Sequence, residues 1–170
     1  MRKVLIIDTS ILCVYLEVPG KETCGSGNNK WNKQRVVDIL EKEEKASTTF
    51  VLPLAAIIET GNHIAQARTK RYETAQALAE IMEKAADEKT PWAAFTDQSV
   101  LWDAQGLKKL AVEWSQLAAR KVSIGDATIK TVAEFYAKTG CQVEILTGDH
   151  GLKAYQPTTP APIPRRRRSR

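Results

Sequence analysis

VLIID, residues 4–8, is a run of four aliphatic side chains that stops on a carboxylate. An apolar run this short, with no polar alternation, is the pattern of a strand covered on both faces, as in a parallel sheet between helices. A second run, CQVEIL (141–146), is followed at once by Thr147, Gly148 and Asp149, within VEILTGDHGLK (143–153). Gly and Asp favour turns for backbone reasons of their own. The fold and the function both depend on whether other carboxylates meet these two at one edge.

Between the two runs, helical and extended patterns alternate. Thr9 or Ser10 can cap a helix that turns Ile11, Leu12 and Tyr15 inward. PGKETCGSGNNKW (19–31) reads as a loop on composition, and residues 32–45 as a helix with Val36, Val37, Ile39 and Leu40 inward. TTFVL (48–52) reads as a strand, and Pro53 suits the first turn of a helix from Leu54 towards Arg68. Gly61 inside that helix costs about 1 kcal/mol relative to Ala and marks close packing or a break. Residues 71–87 form an Ala-rich amphipathic helix, WAAFT (92–96) a weaker strand, and 98–119 a further helix. KVSIGDATIKTVAEFYAKTG (121–140) starts on Ser123 as N-cap and stops at Gly140. This alternation predicts an α/β domain with a mostly parallel sheet.

In such a sheet, ligands bind outside the carboxyl ends of the strands. Asp8 ends the first strand and Asp149 follows the last; Glu59 lies two turns into the helix after the second strand, and Asp126 in the first turn of the helix before the last. Taken singly, Asp126 is a residue favoured by the helix dipole, Asp149 a turn residue and Glu59 a helix-surface residue. Together they predict a cluster of like charges, which drives protonation unless a cation neutralises it. Mg²⁺ or Mn²⁺ would do so with oxygen ligands. The chemistry expected of such a centre is phosphodiester hydrolysis, in which metal activates water and stabilises charge on the phosphate.

IIDTSIL (6–12), LPLAAIIETGNHI (52–64), VSIGDATIKTVAEFY (122–136) and ILTGDHGL (145–152), in that order, resemble the PIN-domain family of metal-dependent nucleases. The resemblance runs to about residue 155. It implies a three-layer α/β/α sandwich around a central sheet of about five strands. It also implies Asp8, Glu59, Asp126 and Asp149 as catalytic residues and ligands of Mg²⁺ or Mn²⁺, with Thr147 and Ser10 in support. The implied reaction is endonucleolytic cleavage of RNA to 5′-phosphate and 3′-hydroxyl ends. Many PIN proteins of this size are VapC-type toxins held by a cognate antitoxin protein, and PIN relatives often form homodimers. The chain departs from the pattern in its 19–31 loop, in its Arg-rich end, in His150–Gly151–Leu152 after the last acid, and in Lys130 four residues past Asp126. Two other readings stay open: a non-catalytic PIN-like module that binds nucleic acid or protein, and a DNA-acting nuclease in a defence or repair assembly.

Composition narrows the field further. At 43% hydrophobic residues the chain is neither disordered nor a membrane protein, and runs such as VLPLAAII (51–58) are too short to span a bilayer. The apolar stretch before Asp8 is too short for a signal core, so a cytoplasmic, unprocessed chain is expected. Cys13, Cys24 and Cys141 form no CxxC pair and read as structural thiols. Glu59 and His63 lack the HExxH pattern, and CGSGNNK (24–30) lacks the P-loop spacing. The tryptophans at 102 and 114 read as core or interface residues, and Lys108, Lys109, Arg120 and Lys121 as solvated charges.

The chain divides into residues 1–155, a nuclease-like domain, and 156–170, a Pro-rich and Arg-rich flexible tail. Five of the 25 Lys and Arg residues are Arg165, Arg166, Arg167, Arg168 and Arg170; the others balance the 20 Asp and Glu, so the net +5 belongs to the tail. These arginines are candidate nucleic-acid contacts. Deletion of residues 165–170 should weaken RNA binding at low salt, with the difference fading as salt rises; equal low-salt affinities in a filter-binding titration would remove the contact.

Overall fold

The computed structural model describes residues 1–158, so the five tail arginines lie outside the described residues. β1 (Lys3–Ile7) is the central strand, with β2 (Thr49–Val51) on one side and β3 (Gln142–Leu146) on the other, all parallel. In register, Ile6 lies beside Val51 and Ile145, and Ile7 beside Leu146. The ladder continues one step beyond the strand, where the Asp8 N–H donates to the Leu146 carbonyl at 3.1 Å. That bond draws the ends of β1 and β3 together and sets the two acidic segments next to each other.

The unbroken apolar run of β1 has the expected cause. Successive strand side chains point to opposite faces, and Val4, Leu5 and Ile6 are all fully buried. Leu5 and Ile7 pack with Ile11, Leu12, Val36 and Leu78, from α1 (Thr9–Tyr15), α2 (Lys33–Lys45) and α4 (Arg71–Ala86). Val4 and Ile6 pack instead with Ile129, Val132, Ala133 and Tyr136 of α6 (Ile124–Lys138). Each such aliphatic side chain contributes about 1.5–3 kcal/mol by leaving water. α3 (Leu54–Gln66) follows β2 directly, its start set by Pro53, whose missing N–H falls where the helix needs none. α7 (His150–Lys153) is a single turn after β3.

Four expectations are corrected. Among the described residues the sheet has three strands rather than about five. WAAFT contributes a lone parallel bridge between Phe50 and Trp92, because Pro91 has no N–H to extend the ladder and a 3₁₀ turn over Phe95–Trp102 takes the chain away. The helix expected over 98–119 is accordingly split, with α5 covering Ala104–Ala118. Gly61 marks neither a break nor a close approach: α3 runs through it, and no atom lies within 4 Å of the place a Cβ would occupy. Elsewhere the reading agrees with the structure. Ser123 caps α6 by accepting from the Asp126 N–H, and Gly140, at φ +84°, carries the chain into β3. All three cysteines are free thiols. Among the described residues no helix is long and apolar enough to cross a membrane.

Candidate active site

Asp8, Glu59, Asp126 and Asp149 line a single cavity of about 290 Å³ outside the carboxyl ends of β1 and β3. A larger cavity of about 460 Å³ lies against α1, α2 and the Pro91–Trp92 turn, floored by Ile7, Ile11, Leu12 and Phe50. Its lining includes two carboxylates, Glu41 and Glu44, and two lysines, Lys84 and Lys89, so it lacks the concentration of one charge that calls for a metal. The smaller cavity is the one that gathers the four carboxylates.

Asp8 is buried and doubles as the N-cap of α1. The cap expected of Thr9 or Ser10 falls to Asp8 because its carboxylate, at the strand end, reaches the Ser10 N–H at 3.2 Å. The same oxygen, Oδ2, accepts from the Ser10 hydroxyl at 2.7 Å and from the Thr147 hydroxyl at 2.8 Å. Each hydroxyl also accepts a backbone N–H: Gly148 donates to Ser10 Oγ, and Asp149 to Thr147 Oγ1, both at 3.0 Å. The network therefore orients Asp8 and shapes the TGD turn in one set of bonds. Asp149 caps α7 through Oδ1, which accepts from the Gly151 and Leu152 N–H groups.

Glu59 reaches in from α3 and accepts the Thr9 hydroxyl on Oε2 at 3.0 Å. Its other oxygen lies where α6 has no side chain. A Cβ on Gly125 would stand 2.0 Å from Glu59 Oε1, so the glycine beside Asp126 leaves the space into which the carboxylate packs. Neither Gly125 nor the Thr9 hydroxyl was legible as a functional residue. Helix glycines usually lower stability, and only the packing of α3 on α6 reveals what this one admits.

Electrostatics matches the geometry. Burial pushes the Glu59 carboxyl above its usual range despite the Thr9 hydrogen bond, and the charges of Asp126 and Asp8 push the same way. Burial likewise raises Asp126 against hydrogen bonding from Ser123, with Asp8 and Asp149 adding repulsion. The pair is held where its ionised form is disfavoured. Asp126, in the first turn of α6, also gains from the helix dipole; its raised pKa means that burial and its neighbours outweigh that gain.

The donor set suits a hard divalent cation. Asp8, Glu59 and Asp149 each engage one oxygen with protein donors and leave the other without one among the described residues. As they stand, no three His, Cys, Asp or Glu side chains among the described residues form a group that could hold an ion. That arrangement is compatible with Mg²⁺, which commonly takes one or two carboxylates and completes its octahedron with water. His63, one turn past Glu59, lines the same cavity, as do Cys13 and Cys24. Burial lifts the Cys13 thiol to about 11 and also raises Cys24, so neither is an activated thiolate.

Comparison with protein-family models, curated proteins and solved structures finds no match to this chain.

Two outcomes follow from the site's construction. The raised Asp126 pKa means that the folded state binds the proton more tightly than the unfolded state. The resulting cost to stability is absent below the ordinary value of 3.8 and grows as pH rises through the raised value. Asp126→Asn should thus raise Tm by a few degrees at neutral pH in EDTA, and the gain should vanish in acid; a gain independent of pH would refute the assignment. Gly125→Ala should displace only the flexible end of Glu59 while removing a helix glycine worth about 1 kcal/mol. Its Tm should hold or rise while Mn²⁺ affinity by calorimetry falls at least about tenfold.

Proposed function

We propose that this protein is a PIN-type, Mg²⁺- or Mn²⁺-dependent endoribonuclease. The observation that carries the reading is the gathering of Asp8, Glu59, Asp126 and Asp149 on one cavity at the carboxyl edge of a parallel sheet. The ordered motifs around these four residues support the family, and the separate apolar clusters on β1's two faces support its three-layer arrangement.

In this reading Asp8, Glu59, Asp126 and Asp149 would hold the metal, which would supply water activation and charge stabilisation at phosphorus. The chain's own residues prepare the place. Ser10 and Thr147 fix the rotamer of Asp8, so its free oxygen faces the cavity without reorganising. Thr9 holds Glu59 over Gly125. Burial and mutual repulsion raise the Glu59 and Asp126 carboxyls, and a bound cation would favour their ionised forms, so metal affinity should rise with pH. RNA is the proposed substrate, and restraint by an antitoxin protein the proposed biological setting.

One observation favours a second reading, a PIN-like binding module without catalysis: no three ligand side chains among the described residues converge on one ion. Cleavage separates the two. Incubated with a mixed single-stranded RNA pool and Mn²⁺, the wild type should cut and EDTA should stop it. Asp126→Asn should be slower by about 100-fold or more, since even outer-shell partners of a metal are worth 10–100-fold. Uncut RNA with metal-loaded, folded wild type favours the binding module, and preferential cutting of matched DNA replaces RNA as the substrate. The antitoxin setting requires that expression arrest growth through the same four carboxylates.

A further inference from the structure

We propose that Lys21 holds a backbone phosphate of the nucleic-acid substrate at the mouth of the acidic cavity, an inference that rests on the nuclease reading above. The loop over residues 19–31, which composition marks only as irregular, builds one wall of the cavity through Lys21, Thr23 and Cys24. Lys21 is the sole lysine or arginine among the lining residues. It is exposed, and among the described residues it forms no ion pair, although four carboxylates share its cavity. A lysine serving only as counter-ion would be paired with one of them. Its charge is free for a ligand.

The loop that carries it is braced. Val18, three residues before it, is fully buried, and the Lys21 N–H donates to the Val18 carbonyl at 2.8 Å. Farther along, Cys24 and Trp31 exchange two backbone hydrogen bonds of 3.2 and 2.8 Å. The Arg35 guanidinium stacks 4.0 Å from the Trp31 ring centroid and donates to the Lys30 carbonyl at 2.7 Å. Gly25 closes the turn at φ +74°, where a Cβ would stand 2.0 Å from the Asn29 carbonyl oxygen. The wall then abuts the TGD turn: a Cβ on Gly148 would come within 2.6 Å of Cys24 Sγ and 2.9 Å of the Gly25 nitrogen. Gly148 is small because the loop must approach this closely.

Charge explains the need for a cation there. One divalent ion offsets only half the charge of four ionised carboxylates, so an anionic phosphodiester meets a cavity that still repels it. A cation on the opposite wall supplies the attraction. Lysine suits the task, being a compact charge on a flexible stem that can follow a phosphate without imposing bidentate geometry.

The test uses the full chain with a fluorescein-labelled oligouridylate, read by anisotropy in Ca²⁺ between about 50 and 200 mM salt. Lys21→Gln should lower affinity about five- to tenfold at the low-salt end and reduce the log–log salt slope by about 0.7, the value for one phosphate on a single strand. Lys21→Arg should restore both, and neither variant should shift Tm. In cleavage with Mn²⁺, Lys21→Gln should raise KM and leave kcat near the wild-type value. Wild-type affinity and slope in Lys21→Gln overturn the inference, and if that variant still cuts, the nuclease reading survives without it. A lowered slope in a protein that never cuts keeps the phosphate contact and removes the nuclease. A wild type that does not bind the probe overturns both.

Discussion

A single carboxylate oxygen, Asp8 Oδ2, ties the functional edge of this protein together. It takes three hydrogen bonds, from the Ser10 N–H, the Ser10 hydroxyl and the Thr147 hydroxyl. The two hydroxyls in turn receive the Gly148 and Asp149 N–H groups. A hydroxyl has one proton to give and lone pairs to accept with, so each here is used in both directions. The result links the end of β1, the start of α1 and the turn after β3 through side chains from opposite ends of the chain. Any change that removes one hydroxyl leaves a buried carboxylate with fewer donors, which costs more than the bond itself contributed. Position of the site and integrity of the sheet edge are therefore the same property.

The second constraint is repulsion. Carboxylates from the end of β1, from α3, from α6 and from the β3–α7 turn line one cavity, none of them paired to a lysine or arginine among the described residues, and two have raised pKa values with burial as the leading cause. Contrast the opposite edge, where Lys3 bridges Glu43 at 2.7 Å and Glu144 at 2.9 Å. There the fold neutralises its buried charge with a residue of its own. At the carboxyl edge it leaves charge uncompensated, a cost that makes sense where a ligand supplies the balancing cation. Structural carboxylates would have acquired a partner of the kind that Glu43 has.

How much of this could be read from the chain depends on where each cause lies. VLIID declared itself because both faces of β1 are covered, and Ser123 and Gly140 because capping is local chemistry. The positions of Asp8, Glu59, Asp126 and Asp149 followed from the rule for parallel sheets, and the structure gathers them. The misses are tertiary. WAAFT has strand-like residues at its ends, yet Pro91 and the 3₁₀ turn leave it a single bridge, which local pattern does not weigh. Gly61 and Gly125 look alike in sequence, both glycines inside helices. One faces open space and the other makes room for a carboxylate, and only the packing of α3 on α6 tells them apart.

The 19–31 loop shows the same limit from the other side. Gly, Ser and Asn in that stretch signal irregular backbone correctly, but irregular does not mean loose. The brace of Arg35 on Trp31 is made by a helix residue reaching back to the loop, and the contact of Cys24 with Gly148 spans most of the chain. The pairing also bears on metal choice. Cys24 of this loop and Cys13 of α1 both line the carboxylate cavity, and thiol ligands by themselves favour soft cations. Here burial raises the Cys13 thiol to about 11 and raises Cys24 as well, so both are harder to ionise than an exposed thiol. The same burial that raises the Glu59 and Asp126 carboxyls raises both thiols.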